Sequence, residues 1–368
     1  MNTAAKTPFV HITRRKNIAW YRAWTIRIIA VVLALILCGI ITTFVVHINP
    51  IEVYKTMIAG NFGTARKVWF MGQDLATLLI ISLALAPAFR MKFWNLGGDG
   101  QTLMGCFGAA ACMILFSGSL PNWLLLIVMF AAALGCGMLW AVIPAFFKAR
   151  WNTNETLFTL MMNYLATQII AFFVVVWENP KGSSKIGIIN QKTQLGWLPD
   201  IGGNKYILII IVALVLAAVM FIYMRYTKHG YEIAVVGESE PTARYVGIKV
   251  PKVIIRTLLL SGAICGLAGF LMVSSTNHTL TTTLVGGRGF TGVMVAWLAK
   301  FNPFFMILTS FLLVFLERGA SEISTMFGFN DSFGAILTGI ILFFIIGCEF
   351  FLNYEMHFRK SSKKKEVA

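Results

Sequence analysis

The most chemically capable residues within the apolar sequence lie in one short segment, FWNLGGDGQTLMG, residues 93–105. This segment places an Asn, an Asp and a Gln among glycines, between two long apolar runs. Asn95 and Gln101 carry both donors and acceptors, so they can bind a neutral solute or the backbone of their own loop. An aspartate at the bilayer centre costs roughly 2.5–3.5 kcal/mol. We therefore expect Asp99 to lie near the cytoplasmic interface, or to brace the loop by accepting from its freed N–H groups.

The glycines of this segment predict a break in a membrane helix over residues 95–101. Gly97, Gly98 and Gly100 are expected to permit the φ values and the close approach that a break requires. Close helix packing alone would also use glycine, but it does not call for an adjoining Asn, Asp and Gln. Irregular backbone at membrane depth is tolerated where it is buried in protein or lines a water-filled cavity. The pattern therefore indicates a translocation pathway.

A second interrupted segment begins at GGRG, residues 286–289. The run that follows, FTGVMVAWLAK (290–300), is much shorter than the about 20 residues needed to cross the hydrocarbon. We expect a half-helix that enters from the outside. Paired interruptions in two halves of a chain are a sequence indicator of a transport site.

The predicted pathway combines these two breaks with Met162 and Asn163, because an amide in mid-span normally faces the bundle interior. Its residues are Asn95, Gly97, Gly98, Asp99, Gly100, Gln101, Met162, Asn163, Phe290 and Thr291. Neutral polar groups with aromatics nearby, such as Trp94 and Trp297, suit a hydroxyl-rich neutral solute. The alternative is that these Trp residues belong to an interfacial belt and Phe290 faces lipid.

The composition sets the fold class. Of 368 residues, 58% are hydrophobic and 12% charged, and apolar runs recur along the whole length. We expect an all-α polytopic membrane protein with about ten membrane segments, including two broken or half helices, in two pseudo-repeated halves. The apolar runs lie near 24–46, 70–90, 95–117, 123–147, 156–177, 205–225, 253–275, 290–300, 303–318 and 333–353.

The net charge is +16, and the charged residues lie in short loops and at span ends rather than on one face. This distribution is a topology signal and gives no indication of nucleic-acid binding. It predicts that both termini are cytoplasmic. The expected domains are a basic tail at 1–23, a transmembrane domain at 24–353 and a second basic tail at 354–368.

The polar connection 226–252 is expected on the cytoplasmic side. Glu238 or Ser239 can cap a helix, Pro241 suits a first turn and Gly247 suits a stop, so one short helix is predicted over about 239–246. Its residues Ala243, Tyr245 and Val246 would be exposed unless a partner docks there.

Several chemistries have no sequence support. The chain has no G-x-x-x-x-G-K-[ST] loop for a nucleotide, no Ser/His/Asp constellation, and five scattered histidines without metal spacing. We therefore expect no catalytic residue, metal or cofactor on this chain, and energy supplied from elsewhere. A secondary transporter for a small polar solute stays open as the alternative, although its spans would need chains of Asp, Glu and His for proton coupling.

A known family shares the order of four motifs. FWNLGGDGQ, NETLFTLMMNYLA (154–166), GESEPTARYVGI (237–248) and GGRGFTGVMVAWLAKFNP (286–303) resemble permease subunits of ABC importers for nucleosides and simple sugars. The likeness extends from about residue 70 to the C-terminus. In that family the first motif usually has the sequence F-N-I-G-x-E-G-Q. Asn95, Gly97, Gly100 and Gln101 match, whereas Trp94, Leu96 and Asp99 depart.

The resemblance implies the function and the partners. It implies a cell-membrane subunit that forms the pathway for nucleosides, or secondly simple sugars, by alternating access. It also implies a separate ABC ATPase carrying ATP and Mg, a second permease subunit in a heterodimer, an extracytoplasmic substrate-binding lipoprotein and surrounding membrane lipid. The coupling segment that would dock on the ATPase comprises Glu238, Ser239, Glu240, Ala243, Arg244, Tyr245 and Gly247.

Overall fold

The computed structural model describes residues 10–15, 19–47 and 49–358, and in this part of the chain helices predominate. The helices are α1 Trp20–Val46, α2 Pro50–Phe62, α3 Ala65–Arg90, α4 Gly98–Leu115, α5 Asn122–Trp151, α6 Glu155–Val176, α7 Ile207–Tyr226, α8 Lys228–Glu238, α9 Glu240–Tyr245, α10 Val250–Leu271, α11 Arg288–Leu298, α12 Pro303–Phe327 and α13 Asp331–Asn353. A π-helical turn, Met272–Asn277, extends α10. The strands are β1 Val10–Arg14 and β2 Tyr354–Phe358.

The helices confirm an all-α polytopic membrane protein. Within the described residues, seven helices are long and apolar enough to cross a bilayer: α3, α5, α6, α7, α10 with its π-helical turn, α12 and α13. Each apolar run expected from the sequence overlaps one of the helices.

The chain divides into two compact units. One unit comprises Met1–Gly63 and Leu316–Ala368, and the other comprises Thr64–Phe315. Both predicted breaks and the coupling segment lie in the second unit.

Glycine contacts hold α4, α5 and α10 of the second unit together. A Cβ atom added to Gly137 of α5 would lie 2.3 Å from the carbonyl oxygen of Gly262 in α10. One added to Gly105 of α4 would lie 2.6 Å from the Cα of Gly266. Only helices without side chains at these points can approach so closely. Helix α4, which begins at the first break, is therefore packed directly against the backbone of α10.

The first unit contains the two strands, which pair antiparallel from Val10 opposite Phe358 to Arg14 opposite Tyr354. These strands fall in the two predicted tails, whose remaining residues 1–9, 16–18 and 359–368 lie outside the described residues. Beside them, α1 packs on α13 through a small buried cluster of Ala30, Cys348 and Leu352.

The connection 226–252 contains two helices, so the prediction of one short helix was wrong. The additional helix is α8. Thr227 caps it by accepting a hydrogen bond from the Gly230 N–H at 3.1 Å. Ile233 and Val236 are buried, three residues apart on one helical face. The polar composition of the segment concealed this short amphipathic pattern.

The second helix, α9, agrees with the prediction in its position and its ends. The Ser239 hydroxyl accepts from the Thr242 N–H at 3.4 Å, and Gly247 after the helix takes a φ of +83°. A left-handed φ is one that glycine adopts without steric cost, so Gly247 ends the helix as expected.

Candidate functional site

The first break has the predicted length of seven residues, but it lies four residues earlier in the chain than predicted. The irregular backbone occupies residues 91–97, and α4 already begins at Gly98. None of Gly97, Gly98 and Gly100 has a positive φ, so the prediction that glycine supplies an unusual φ here was wrong. The prediction of close approach was correct, because a Cβ atom on Gly100 would lie 2.8 Å from the Oδ1 atom of Asn163.

A closed ring of side chains fixes this break to α10. The Asn95 amide nitrogen donates to the Ser261 hydroxyl at 3.2 Å, Ser261 donates to Gln101 Oε1 at 3.4 Å, and Gln101 donates to Asn95 Oδ1 at 3.2 Å. Asn95 Oδ1 also accepts from the Gly97 N–H at 3.1 Å. Asn95 and Gln101 are 0% and 1% exposed. Their amides are therefore engaged with protein, and Ser261 is a partner that the sequence analysis missed.

Two side chains of α6 satisfy the backbone groups that the break releases. Asn163 donates to the Leu96 carbonyl and accepts from the Gly100 N–H, both at 2.8 Å. The Thr159 hydroxyl accepts from the Leu96 N–H at 3.1 Å. An unpaired N–H or C=O in hydrocarbon costs several kcal/mol, so these bonds make the break tolerable at this depth. Met162 is buried beside them, and its carbonyl accepts from the Trp140 indole at 3.2 Å.

Asp99 joins the first break to the second. Its Oδ1 atom accepts from the N–H of Gly289, in the first turn of α11, at 2.8 Å. A Cβ atom on Gly289 would lie 2.5 Å from the amide nitrogen of Asp99, so only glycine fits. Asp99 itself lies in the first turn of α4. The N-terminal ends of two helices, each with partial positive charge, therefore meet at one carboxylate.

An ion pair within the membrane helices adds a second link, which the sequence analysis did not identify. The Arg288 guanidinium lies 2.5 Å from a carboxylate oxygen of Asp74 in α3, and both side chains are largely buried. The available signal was an acid inside one apolar run and an arginine at the start of another, since ionisable groups in spans normally face a partner.

The half-helix α11 carries an exposed stripe of large side chains. Phe290, Met294 and Trp297 are 42%, 36% and 50% exposed, and their spacing of four and three residues places them on one helical face. Thr291 is partly exposed, and its hydroxyl donates to the Gly287 carbonyl at 3.4 Å. Trp94, from the first break, lies beside this face with its ring centroid 5.5 Å from that of Trp297. We call Trp94, Phe290, Met294 and Trp297 the aromatic stripe.

The coupling segment has an exposed apolar end. Tyr245 is 92% exposed, Val246 is also exposed, and Ala243 is buried, which corrects the expectation that Ala243 would be exposed. Glu240 and Arg244 form an exposed ion pair at 3.6 Å. Burial, together with the nearby Arg256, lowers the pKa of His229 in the adjoining α8, which favours the neutral ring.

Helix α8 connects the coupling segment to the first break. A Cβ atom on Gly237 would lie only 2.1 Å from the carbonyl oxygen of Arg90, the last residue of α3. Lys92 donates to the Glu238 carbonyl at 3.4 Å. The chain from Arg90 leads directly into the irregular residues 91–97. The coupling segment and the first break are thus in direct contact through Glu238 and Lys92.

These features define a class of protein: a polytopic helical membrane protein in which two interrupted segments contact each other. The chain belongs to the family described as "Branched-chain amino acid transport system / permease component", whose model matches residues 73–346. It is a permease subunit of an ABC importer.

Several characterised relatives align along nearly the whole chain. NupP of Bacillus subtilis, a guanosine ABC transporter permease, is 29% identical over 93% of this chain and 97% of its own length. NupB of Lactococcus lactis, a nucleoside permease, is 24% identical over 92% of this chain and 95% of its own. TsgB13 of Haloferax volcanii, a glucose permease, is 24% identical over 88% of each chain.

Proposed function

We propose that this chain forms one half of the pathway of a nucleoside importer, and that the aromatic stripe is the surface that faces the solute. One observation carries this proposal. The polar residues of both breaks are engaged with one another, whereas the α11 face directly beside them exposes Phe290, Met294 and Trp297. Aromatic faces that stay exposed next to irregular backbone can stack on a base or on a sugar ring.

The proposal divides the predicted pathway residues by role. Asn95, Gln101 and Asn163 hold the shape of the first break, and Asp99 holds the second break against it. Gly97, Gly98, Gly100 and the buried Met162 allow the close packing that this shape requires. Phe290, and Thr291 at the edge of its face, belong to the solute-facing surface.

Nucleosides are the favoured substrate class. Relatives named for guanosine and nucleoside transport cover nearly the whole chain. The glucose permease relative makes simple sugars the second candidate. Competition between labelled nucleoside and unlabelled guanosine, ribose or glucose during uptake separates the two. Inhibition by sugars alone would reverse the order.

The stripe is tested by uptake in reconstituted vesicles. Trp297→Ala removes a stacking surface, and uptake is expected to fall about tenfold, since base–aromatic stacking contributes ~1–3 kcal/mol. Trp123→Ala is the matched control, because Trp123 is an exposed tryptophan, 65% exposed, outside the stripe. Equal uptake by both variants at equal expression would place the pathway elsewhere.

For the topology, we propose about ten membrane segments in two pseudo-repeated halves, with α4 and α11 incomplete and both termini cytoplasmic. The Lys and Arg distribution supports this orientation, which puts the 178–204 connection outside. A cysteine at Ser183 tests it by membrane-impermeant labelling. Labelling from the cytoplasmic side only would contradict the topology.

The proposed partners are a separate ATPase with ATP and Mg, a second permease subunit in a heterodimer, and an extracytoplasmic substrate-binding lipoprotein. The ATPase is proposed to dock on the coupling segment through Tyr245 and Val246, two exposed apolar residues on the polar connection between α7 and α10. Co-purification of the tagged chain with these subunits tests the assembly.

Movement of the docked segment is proposed to reach the first break through the contact of Gly237 with Arg90. Gly237→Ala should wedge α8 away from α3, because the added atom meets a backbone carbonyl. ATP hydrolysis should then continue while uptake falls severalfold. Gly135→Ala, where nothing lies within 4 Å, is the matched control. Unchanged coupling in Gly237→Ala, in assembled complexes, would exclude this route.

A further inference from the structure

A basic groove of about 460 Å³ lies at the ends of α3, α7 and α11. Three cationic side chains line it, each from a different element: Arg90 at the end of α3, Arg225 at the end of α7 and Lys300 after α11. Among the described residues that line it, none is acidic. We name it the basic groove.

The polar and aromatic lining adds to this charge. The first turn of α8, with Gly230 and Tyr231, forms one side, and Asn302 and Pro303 at the start of α12 form another. Helix N-termini carry partial positive charge and favour anions, so both sides reinforce the cations. The groove is therefore suited to a compact anion such as a phosphate group.

The walls of the groove identify the kind of molecule that carries the phosphate. Phe221 of α7 packs on Phe304 of α12 with ring centroids 4.7 Å apart. Both helices also expose large apolar side chains, namely Ile222 of α7 and Phe305 and Leu308 of α12. A ligand that fits both regions has an anionic head and apolar tails. Basic pockets between membrane helices on the cytoplasmic side bind acidic lipid head groups.

The structure also separates this groove from the proposed ATPase-docking surface. The residues that line it include none from the segment 238–247. The Arg225 guanidinium carbon lies 5.8 Å from the centroid of the Phe221 ring and 5.9 Å from that of the Tyr226 ring. An arginine beside aromatic rings suits the boundary between lipid and water, where its stem can lie along apolar surface and its charged head can reach a polar group. A lipid is thus favoured over a soluble protein segment.

We propose that the basic groove binds the phosphate head group of an anionic phospholipid, with Arg90, Arg225 and Lys300 as its cationic ligands. Binding there holds the ends of α3 and α7 together. These ends already contact each other through the Arg90 guanidinium, which donates to the Met224 carbonyl at 3.5 Å.

The test uses the full chain in nanodiscs that contain equal amounts of phosphatidylglycerol and phosphatidylcholine. Native mass spectrometry of the released protein reports which lipid it retains. The wild type should retain phosphatidylglycerol preferentially. Arg225→Gln and Lys300→Gln should each lower the retained fraction about fivefold, the factor that corresponds to ~1 kcal/mol per basic residue near an anionic surface. Arg225→Lys should keep most of the binding.

Lys252→Gln is the matched control, because it removes the same charge from an exposed site at the start of α10 that does not line the groove. Thermal unfolding and gel filtration confirm that each variant is folded. An equal loss of lipid in Lys252→Gln, or no loss in the double variant Arg225→Gln/Lys300→Gln, would overturn the proposal.

Two further arms distinguish other occupants. Inorganic phosphate and glycerol 3-phosphate, added without lipid, should not raise the unfolding temperature as phosphatidylglycerol does. Equal stabilisation by either would assign the groove to a soluble anion and overturn the proposal.

A photo-crosslinking residue at Tyr231, which is exposed, should label lipid in cell membranes. Crosslinking to protein alone would assign the groove to a protein partner and overturn it as well.

Discussion

The two breaks solve the same problem in different ways. At the first break, side chains satisfy the released backbone groups, from Asn95 within the loop and from Asn163 and Thr159 on α6. At the second break, backbone conformation makes the turn, with Gly286 and Gly287 at φ of +62° and +77° and no side-chain cap on α11 from its own loop. The cap comes instead from Asp99, so the second break depends on the first.

Because of this difference, the backbone geometry of the first break is more tightly fixed than that of the second. A ring of buried hydrogen bonds such as Asn95–Ser261–Gln101 holds one geometry, because any shift leaves a polar group unpaired. The turn at Gly286 and Gly287 contains no such ring, so a small shift of its backbone leaves no side-chain polar group unpaired. We expect substitutions at the contact between the breaks to have the largest effects, and substitutions in the glycine turn to have the smallest.

The largest effect is expected for Gly289→Ala. The added methyl group would meet the Asp99 backbone nitrogen at 2.5 Å, so α11 must move away from α4. Overpacking against backbone costs about 1–3 kcal/mol or more, and uptake should fall at least about tenfold. Uptake of labelled nucleoside at matched expression measures this. Gly339→Ala in α13 has open space and serves as the control. Normal uptake by Gly289→Ala would show that the two breaks need not touch.

Replacement of Asp99 comes next. Asp99→Leu leaves the Gly289 N–H without its acceptor, at a cost of about 1–3 kcal/mol, and should lower both the unfolding temperature and uptake. Asp99→Asn keeps an acceptor, so its unfolding temperature and its uptake should fall less than those of Asp99→Leu. Asp99→Glu should be tolerated, since the family motif has Glu at this place. A thermal melt of each purified variant gives the ranking. If Leu and Glu behave alike, the carboxylate does not join the breaks.

A smaller effect is expected within the ring of the first break. Gln101→Leu and Ser261→Ala should each reduce uptake by severalfold, because about 1 kcal/mol is lost per hydrogen bond. The double variant should lose little more than either single variant, since both remove the same ring. A double-mutant cycle on uptake rates provides the measurement. Fully additive losses would mean that the ring does not act as a unit.

The smallest effect is expected for Gly287→Ala. Its φ of +77° strains any other residue, but nothing lies near its Cβ position, so the cost is limited to about 1–2 kcal/mol of backbone strain. Uptake should fall less than in Gly289→Ala, only two residues away. A larger loss than that of Gly289→Ala would reverse the comparison and make the turn itself the critical element.

The sequence was sufficient to predict the membrane class, the two interruptions and the short helix α9. Each of these depends on local patterns: apolar length, glycine clusters, and a Ser–Pro start followed by a Gly stop. The family resemblance gave the importer class, which the match over residues 73–346 confirms.

Partners from distant parts of the chain were not predictable. Ser261 completes the ring with Asn95 from 166 positions away, and Arg288 pairs with Asp74 from 214 positions away. Short-range patterns in the sequence do not indicate which helices are neighbours in the folded chain. The assignment of Asn95 and Gln101 to solute or to loop stayed open for the same reason, because the answer depends on what α10 presents to them.

The pairing of β1 with β2 limits the number of times that the chain can cross the bilayer. Residues 10–14 and 354–358 are hydrogen-bonded to each other, so they lie on the same side of the bilayer, and the chain between them crosses it an even number of times. Within the described residues, seven helices meet the length and hydropathy criteria for crossing. Seven crossings would put the two strands on opposite sides of the bilayer, so the pairing excludes a topology in which these seven helices alone cross.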